Sequence, residues 1–347
     1  MDNRYLLIFT SNLLFLIFFG CESNLDKDFV VKGSTMGTQY QIVVRHSKEI
    51  NTDLIFKDVS LILEDINNQM STYDSNSEIS IFNSTKELNQ PYQISDYFAE
   101  VIKKSFYYNE ISEGFFDITV KPLYQLWGFQ GYNARQYEPS ENILRSFFQF
   151  VGMDNIVFDF NRKTIYKRHA ETEIDVSAIA KGYAVDIVAD YLSKKGYLNY
   201  YVEIGGEIKV KTSHQKGWLI GIQDPNELMN SVDSVYLLNG AIATSGNYFN
   251  FIEYLGKKSK KRTHIINPID GYPLEIKEGV VASATVISKD CIDADALATI
   301  LMILSINDAI DFIESIENSE AYIIYYDQGE LKSAETSNFS NFKNKFN

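Results

Sequence analysis

The chain has 347 residues, of which 45% are hydrophobic and 22% charged, so it can bury a substantial core and is not a disordered chain. Its net charge of −14 argues against a nucleic-acid-binding surface. Only 6 prolines and no repeat period argue against a repeat protein.

The first twenty residues form a separate segment. Arg4 precedes an apolar run that ends at Gly20 and Cys21, a pattern typical of a signal peptide and too short for a membrane span. A small residue directly before cysteine resembles a bacterial lipoprotein cleavage site. We therefore expect residues 1–20 to be removed and Cys21 to anchor the protein by lipid to a bacterial membrane, facing the periplasm or the cell exterior. A cleaved signal with an incidental cysteine and an uncleaved anchor are the alternatives.

Cysteine usage limits the chemistry that is available. With Cys21 acylated, Cys291 is the only other cysteine, so no intramolecular disulfide is expected. Any metal must then use oxygen ligands. Residues 21–29 are polar and predict a tether between the lipid and the folded part.

The folded part is expected to cover residues 30–330, followed by a polar, frayed tail at 331–347. Alternating apolar residues predict a strand pair from about Val30, with a turn or a close backbone approach to a ligand at 33–38. Helical spacing predicts helices over 53–70 and 95–112. Later predicted elements are a strand or turn at 115–120, a hairpin at 156–167, strands at 172–174, 200–204, 218–222, 234–238, 241–244 and 321–326, and helices at 293–304 and 308–317. Because no linker breaks this span, we expect one α+β catalytic unit, with a two-lobed arrangement left open.

The stretch 175–186 lies between a short strand and a long apolar helix pattern. Asp175 or Ser177 is placed to cap the helix, and Lys181 and Gly182 fall in its first two turns. Free N–H groups, the helix dipole and the lysine together favour phosphate. Taken alone, the stretch is explained more simply by a capped helix with a surface lysine.

Three other segments carry reactive or small polar side chains. Asp295 and Thr299 share one helix face and, with a backbone carbonyl, would suit Mg²⁺ or Ca²⁺; a helix-start aspartate with a buried threonine is the alternative. His264 lies at a strand end before a Pro/Gly turn and could be a general base or a structural histidine. The small residues and hydroxyls at 240–248 fit either a tight turn or a ligand wall.

The order of these motifs resembles that of the ApbE family of FAD:protein FMN transferases. The motifs are 33–38 (GSTMGT), 175–186 (DVSAIAKGYAVD), 203–206 (EIGG), 243–248 (ATSGNY), 264–268 (HIINP) and 294–299 (ADALAT). The resemblance covers about residues 30–325. It implies an ApbE-like α+β unit with its active site in a central cleft.

The resemblance also implies a reaction. FAD would be the substrate, with Mg²⁺ on its pyrophosphate. A threonine hydroxyl of an acceptor flavoprotein, such as a membrane redox-complex subunit, would attack the FMN phosphorus and release AMP. Such a transfer depends mainly on alignment and charge neutralisation.

Site residues follow from the resemblance motif by motif. The metal ligands would be the Ala178 carbonyl, Asp295 and Thr299, and the base for the incoming hydroxyl would be His264, so that His264 and Asp295 are the catalytic residues. The flavin-nucleotide contacts would be Met36, Tyr73, Phe115, Phe116, Asp117, Asp175, Lys181 and the backbone around Ile266. Two positions depart from the family pattern: Asn267 replaces a common Asp, and Ala298 replaces a further metal-side Asp, which leaves a second Mg²⁺ open.

Two other functions are compatible with the same residues. A metal-dependent FAD pyrophosphatase would admit water in place of the threonine and yield FMN and AMP. A flavin-binding lipoprotein would store FAD without turnover. The joint presence of Lys181, His264, Asp295 and Thr299 argues against this last alternative.

Overall fold

The first two strands form a tight hairpin. The computed structural model describes residues 26–129, 137–227, 229–248, 250–255 and 260–343, so the predicted signal peptide and Cys21 lie outside it. Strand β1 (Lys27–Thr35) pairs with β2 (Thr38–His46), and Thr35 faces Thr38 across a two-residue loop. Both loop residues, Met36 (φ 50°) and Gly37 (φ 72°), have the positive φ that this kind of turn requires, which confirms the predicted turn.

The predicted start of this hairpin was three residues late. Strand β1 begins at Lys27, which pairs with His46, so the last three residues of the expected tether belong to the sheet. Gly33 is the first glycine of the motif, and it allows a close approach within the protein. A Cβ on Gly33 would lie 2.5 Å from the ring of Tyr40.

The remaining elements follow in chain order. The helices are α1 (Thr52–Met70), α2 (Glu78–Ser84), α3 (Asp96–Ile111), α4 (Lys121–Trp127), α5 (Glu141–Phe147), α6 (Ala180–Lys194), α7 (Cys291–Ile303) and α8 (Ile306–Glu314). The strands are β3 (Tyr92–Gln93), β4 (Ile156–Asp159), β5 (Thr164–Lys167), β6 (Tyr200–Ile204), β7 (Glu207–Lys211), β8 (Trp218–Gln223), β9 (Ser231–Leu237), β10 (Asn239–Gly246), β11 (Phe251–Tyr254), β12 (Lys260–Ile266), β13 (Pro273–Glu275), β14 (Val281–Ser288), β15 (Glu320–Asp327) and β16 (Glu330–Glu335). The mixture of helix and sheet confirms the predicted α+β class.

An antiparallel sheet of eight strands organises the fold, in the order β1-β2-β6-β7-β10-β14-β15-β16. Helices α1, α6 and α7 pack on one face, where Val202, Ala243 and Val286 belong to the main core. The hairpin β8–β9 covers part of the other face, over residues such as Val210 and Ile242. Because both faces are covered, polar side chains that point toward the helices are also buried.

The C-terminal residues close this second face. Strand β16 pairs with β15 along its length, and Phe339 is fully buried in the cluster under β8–β9. Val235 also forms a β-bridge with Lys343. The expectation of a frayed tail is therefore wrong for residues 331–343, because the pairing with β15 and the buried Phe339 hold the segment in place.

A third, smaller cluster surrounds Trp127, whose indole Nε1 donates to the carbonyl of Gly271 at 2.8 Å. It joins helices α4 and α5 to strands β11 and β12. The Arg262 side chain is buried over the rings of Trp127 and Tyr272 and donates to Glu138 at 2.5 Å. These contacts fix the strand that carries His264. Among the described residues, none of the helices has the length and apolarity that a membrane span requires.

Candidate active site

The site begins where helices α6 and α7 cross. Gly182 lies at the crossing: a Cβ there would be 2.3 Å from the carbonyl oxygen of Cys291 and 2.8 Å from Cβ of Asp295. Its N–H donates to Oδ2 of the buried Asp295 at 2.9 Å. Only glycine allows this contact, so the carboxylate is held at the first turn of α6.

Helix α6 starts later than the sequence predicts. Asp175 Oδ1 accepts from N–H and O–H of Ser177 and forms a local turn, while the Val176 carbonyl accepts from the N–H groups of Ile179 and Ala180. The first helical residue is Ala180, and its N-cap Ile179 makes no side-chain cap. The predicted cap by Asp175 or Ser177 is therefore wrong, because the chain closes a separate turn before the helix begins. Lys181 accordingly lies in the first turn.

Lys181 joins two buried carboxylates. Its Nζ donates to Glu207 Oε1 from strand β7. Burial alone would lower the pKa of Lys181, but Asp295 and Glu207 outweigh burial and raise it. Burial raises the pKa of both carboxyl groups, against the opposing effect of Lys181. One lysine therefore stands beside two carboxyl groups whose protonated form burial favours.

The predicted metal ligands are the Ala178 carbonyl, Asp295 and Thr299. In a regular helix the N–H of Gly182 would donate to the carbonyl of Ala178, four residues earlier. Here it donates to the Asp295 carboxylate instead. Thr299 lies one turn beyond Asp295 on α7, with its Oγ1 at 3.3 Å from Ser245 Oγ on β10.

The donor set fits a hard divalent cation. The described residues contain no group of three or more His, Cys, Asp or Glu side chains that could hold a metal, so any ion must be held by fewer carboxylates together with neutral oxygens. Among the same residues, Glu207 Oε2 is buried without a hydrogen-bond partner. One carboxylate with neutral oxygens suits Mg²⁺, which takes its other ligands from water and substrate phosphates.

His264 stands at the end of β12 with a defined tautomer. Its Nδ1 lies 3.2 Å from the carbonyl of Asn250, which also accepts the His264 backbone N–H at 3.0 Å. Because a carbonyl only accepts, Nδ1 carries the proton and Nε2 keeps a free lone pair. Burial lowers the pKa of His264, and nearby Lys181 lowers it further, against the hydrogen bond to Asn250.

An aromatic group connects His264 to the segment before α6. Burial raises the pKa of Tyr124 to about 12, helped by its neighbours Tyr73 and Asp175, while a hydrogen bond with the Asn250 side chain opposes the shift. The Tyr73 side chain is 88% exposed. The predicted residues Tyr73 and Asp175 therefore lie near one aromatic side chain of α4, and Asn250 links that side chain to His264.

The other predicted contacts lie nearby or in the core. Asp117 lines a cavity of about 360 Å³ with Pro268 and Ile269, and burial raises its pKa to about 6, against hydrogen bonds from Thr119. Phe115 is partly buried, whereas Phe116 packs against Tyr108 in the core. Ile266 is buried beside Trp127, and Met36 packs at the β1–β2 turn. The ligand roles of these residues stay predictions.

Three residues of the site were missed by the sequence reasoning: Tyr124, Glu207 and Asn250. Glu207 directly follows the Gly205–Gly206 turn, on a strand where charged and apolar residues alternate. That alternation predicts that the charged side chains face solvent. Glu207 is instead buried, because helices cover that face of the sheet. For Tyr124 and Asn250 the sequence carries no comparable signal.

Comparisons with known proteins agree with one another on the family and the fold. Residues 36–323 match the model of the ApbE family. A relative from Vibrio cholerae named FAD:protein FMN transferase is 35% identical over 99% of this chain and 100% of its own length. The solved structure of the flavin transferase ApbE from Vibrio cholerae superposes with a TM-score of 0.80 at 32% identity, over 91% of this chain and 99% of that one. The flavinyl transferase ApbE from Pseudomonas stutzeri gives the same TM-score at 29% identity, over 92% of this chain and 97% of that one.

Proposed function

Because the chain belongs to the ApbE family, we propose that it is an FAD:protein FMN transferase. In this reaction FMN moves from FAD to a threonine hydroxyl of an acceptor flavoprotein, and AMP is released. The observation that carries the proposal is the position of His264, which presents a free Nε2 near Lys181 and is fixed through Nδ1.

The chemistry of the step assigns a task to each residue. The threonine oxygen forms a bond to the FMN phosphorus, the bond from that phosphorus to the bridging oxygen breaks, and AMP leaves with the electron pair. His264 Nε2 accepts the hydroxyl proton. Lys181, in the first turn of α6, offers positive charge to the pyrophosphate. To bind there, the pyrophosphate must replace part of the contact between Lys181 and Glu207.

The oxygen donors suit a dependence on Mg²⁺. Ala178, through its carbonyl, Asp295 and Thr299 would hold the ion, which would neutralise charge on the pyrophosphate when bound. Asp295 is already oriented by the Gly182 N–H, so the chain holds this carboxylate in place before any ion arrives.

A lipid anchor at Cys21 would place this activity at the bacterial membrane, on the periplasmic or outer side. The support is the apolar run that ends at Gly20 and Cys21. An acceptor such as a membrane redox-complex subunit would then share the surface with the enzyme.

Product analysis tests this function. The protein is incubated with FAD and Mg²⁺, with and without an acceptor protein, and AMP, free FMN and protein-bound FMN are measured. We expect AMP and protein-bound FMN in equal amounts, only with the acceptor, and neither product in the presence of EDTA. Equal AMP and free FMN without an acceptor would instead identify a pyrophosphatase, and FAD binding without either product would identify a storage protein.

A further inference from the structure

Helix α7 is capped by a side chain from another helix. Asp186, on α6, accepts the N–H of Cys291 through Oδ1 at 3.0 Å and the N–H of Ile292 through Oδ2 at 2.9 Å. These are first-turn N–H groups, which have no acceptor within their own helix. Asp290, the N-cap residue of α7, makes no side-chain cap of its own. The buried carboxylate of Asp186 therefore satisfies the start of α7 from outside.

A lysine from the sheet pairs with this carboxylate. Lys209 Nζ, on β7, donates to Asp186 at 2.6 Å and to Asp290 at 2.8 Å. Burial raises the pKa of Asp186 and Lys209 opposes that rise. Burial would likewise lower the pKa of Lys209, but the two aspartates outweigh it and raise it. The three side chains thus form one ion network between α6, α7 and the sheet.

The contacts between the two helices are reciprocal. Gly182 and Asp186 lie one turn apart on the same face of α6. The N–H of Gly182 donates to the carboxylate of Asp295 on α7, and the carboxylate of Asp186 accepts the first N–H groups of α7. A shift of α7 along α6 would break both sets of bonds together.

We propose that Asp186, supported by Lys209, is a positioning residue that fixes helix α7 on α6 and thereby holds the Asp295 carboxylate at the first turn of α6. The inference rests on the proposed function for its consequence, which is a cation site ordered in advance. Residues that orient a ligand without touching the metal typically change metal affinity by about 10–100-fold when they are removed.

The test compares Asp186→Asn with a matched control. The asparagine keeps one acceptor oxygen but turns an N–H donor toward the helix and loses the pairing with Lys209. Asp58→Asn is the control, because Asp58 also binds α6, through the Tyr191 hydroxyl at 2.9 Å, and Tyr191 lies five residues beyond Asp186, on a different face of that helix. Amide hydrogen exchange, Mg²⁺ affinity from the Mg²⁺-dependent shift in melting temperature, and FAD affinity in EDTA are measured on both variants.

In Asp186→Asn, we expect exchange at Gly182, Cys291 and Ile292 to accelerate by about tenfold or more, while the rest of α6 stays protected. Mg²⁺ affinity should fall by about 10–100-fold, and FAD affinity in EDTA should change by less than about threefold. Asp58→Asn should leave all three quantities near the wild-type values. Unchanged Gly182 exchange in a folded Asp186→Asn protein would overturn the proposal, as would equal losses of Mg²⁺ and FAD affinity.

If Asp186→Asn does not fold, a second variant still tests the proposal. Lys209→Gln leaves both cap bonds possible but removes the charge that supports them, so the same three amides should exchange faster, to a smaller extent; unchanged exchange there would count against the proposal. If the wild-type protein shows no Mg²⁺ binding, the metal part of the proposed function fails. The exchange at Gly182 still decides whether Asp186 positions Asp295.

Discussion

At the scale of single residues, the proposed transfer depends on which nitrogen of His264 carries no proton. The Asn250 carbonyl holds the proton on Nδ1, and burial keeps the pKa of the imidazole below its usual value. A base works only when it is neutral, so the depressed pKa preserves the active form to lower pH. Activity should therefore rise with pH through a limb below 6.5 and be level through neutrality. An unperturbed histidine would place this limb at about 6.5.

Replacing His264 by alanine separates chemistry from binding. We expect near-normal FAD affinity and melting temperature, a transfer rate reduced by on the order of 10²–10⁴-fold, and loss of the acidic limb. The measurements are FAD titration, thermal unfolding and single-turnover transfer as a function of pH. If stability and FAD affinity fall together while the rate of the bound complex is normal, His264 holds the site and is not the base.

Asp295 and Asp293 offer a matched pair on α7. Asp295 is buried where α6 and α7 cross, whereas Asp293 pairs with Lys104 at 2.6 Å on another side of the helix. Asp295→Asn can still accept from Gly182 but removes the charge, so Mg²⁺-dependent turnover should be lost. Asp293→Asn should retain it. Thr299→Val should have a milder effect than Asp295→Asn, because a neutral ligand contributes less than a carboxylate. Full activity of Asp295→Asn at low Mg²⁺ would contradict the assignment.

At the scale of elements, the short helix α2 makes a contact with the site that the sequence does not predict. Its last turn carries Asn83, whose Nδ2 donates to the Ile174 carbonyl and whose Oδ1 accepts the Ile174 N–H, both at 2.8 Å. Ile174 immediately precedes Asp175. Helix α2 has only 7 residues, too few for a helical period to stand out, and a tertiary contact of this kind leaves no local pattern.

Asn83→Ala should therefore weaken both the fold and the site. Two buried backbone groups of Ile174 would lose their partners, at a cost on the order of 1–3 kcal/mol of unfolding free energy. FAD affinity should also fall, because the turn at Asp175 is no longer held. Denaturant unfolding and FAD titration measure the two effects. The neighbouring Ser84→Ala, on the exposed side of α2, is the control, and an effect of equal size there would argue against a specific role for Asn83.

Long elements were predictable and the site between them was only partly so. The helical spacing of 53–70 and the turn predicted within 33–38 correspond to α1 and to the β1–β2 hairpin, because local periodicity and positive φ decide them. Glu207 was missed because an alternating strand indicates an exposed face until the rest of the fold covers it.

At the scale of the whole molecule, the apolar run that ends at Gly20 and Cys21 predicts a lipid anchor. Cys21→Ser should release the protein from membranes or stall its processing, because a multiply acylated cysteine binds membranes firmly and serine cannot be acylated in this way. Membrane fractionation and intact mass of the processed chain provide the measurement. Unchanged fractionation and mass would reject the anchor, without affecting the proposed transfer reaction.

The proposed attachment of FMN to a threonine of another protein can be measured as a change in the intact mass of that acceptor. The acceptor is one that the Vibrio cholerae relative modifies; it is incubated with this protein, FAD and Mg²⁺, and that relative is the positive control. We predict that the acceptor gains one FMN phosphoester and that an acceptor whose target threonine is replaced by valine gains none. An acceptor that the relative modifies but that this protein leaves unchanged, while binding FAD, would contradict the account.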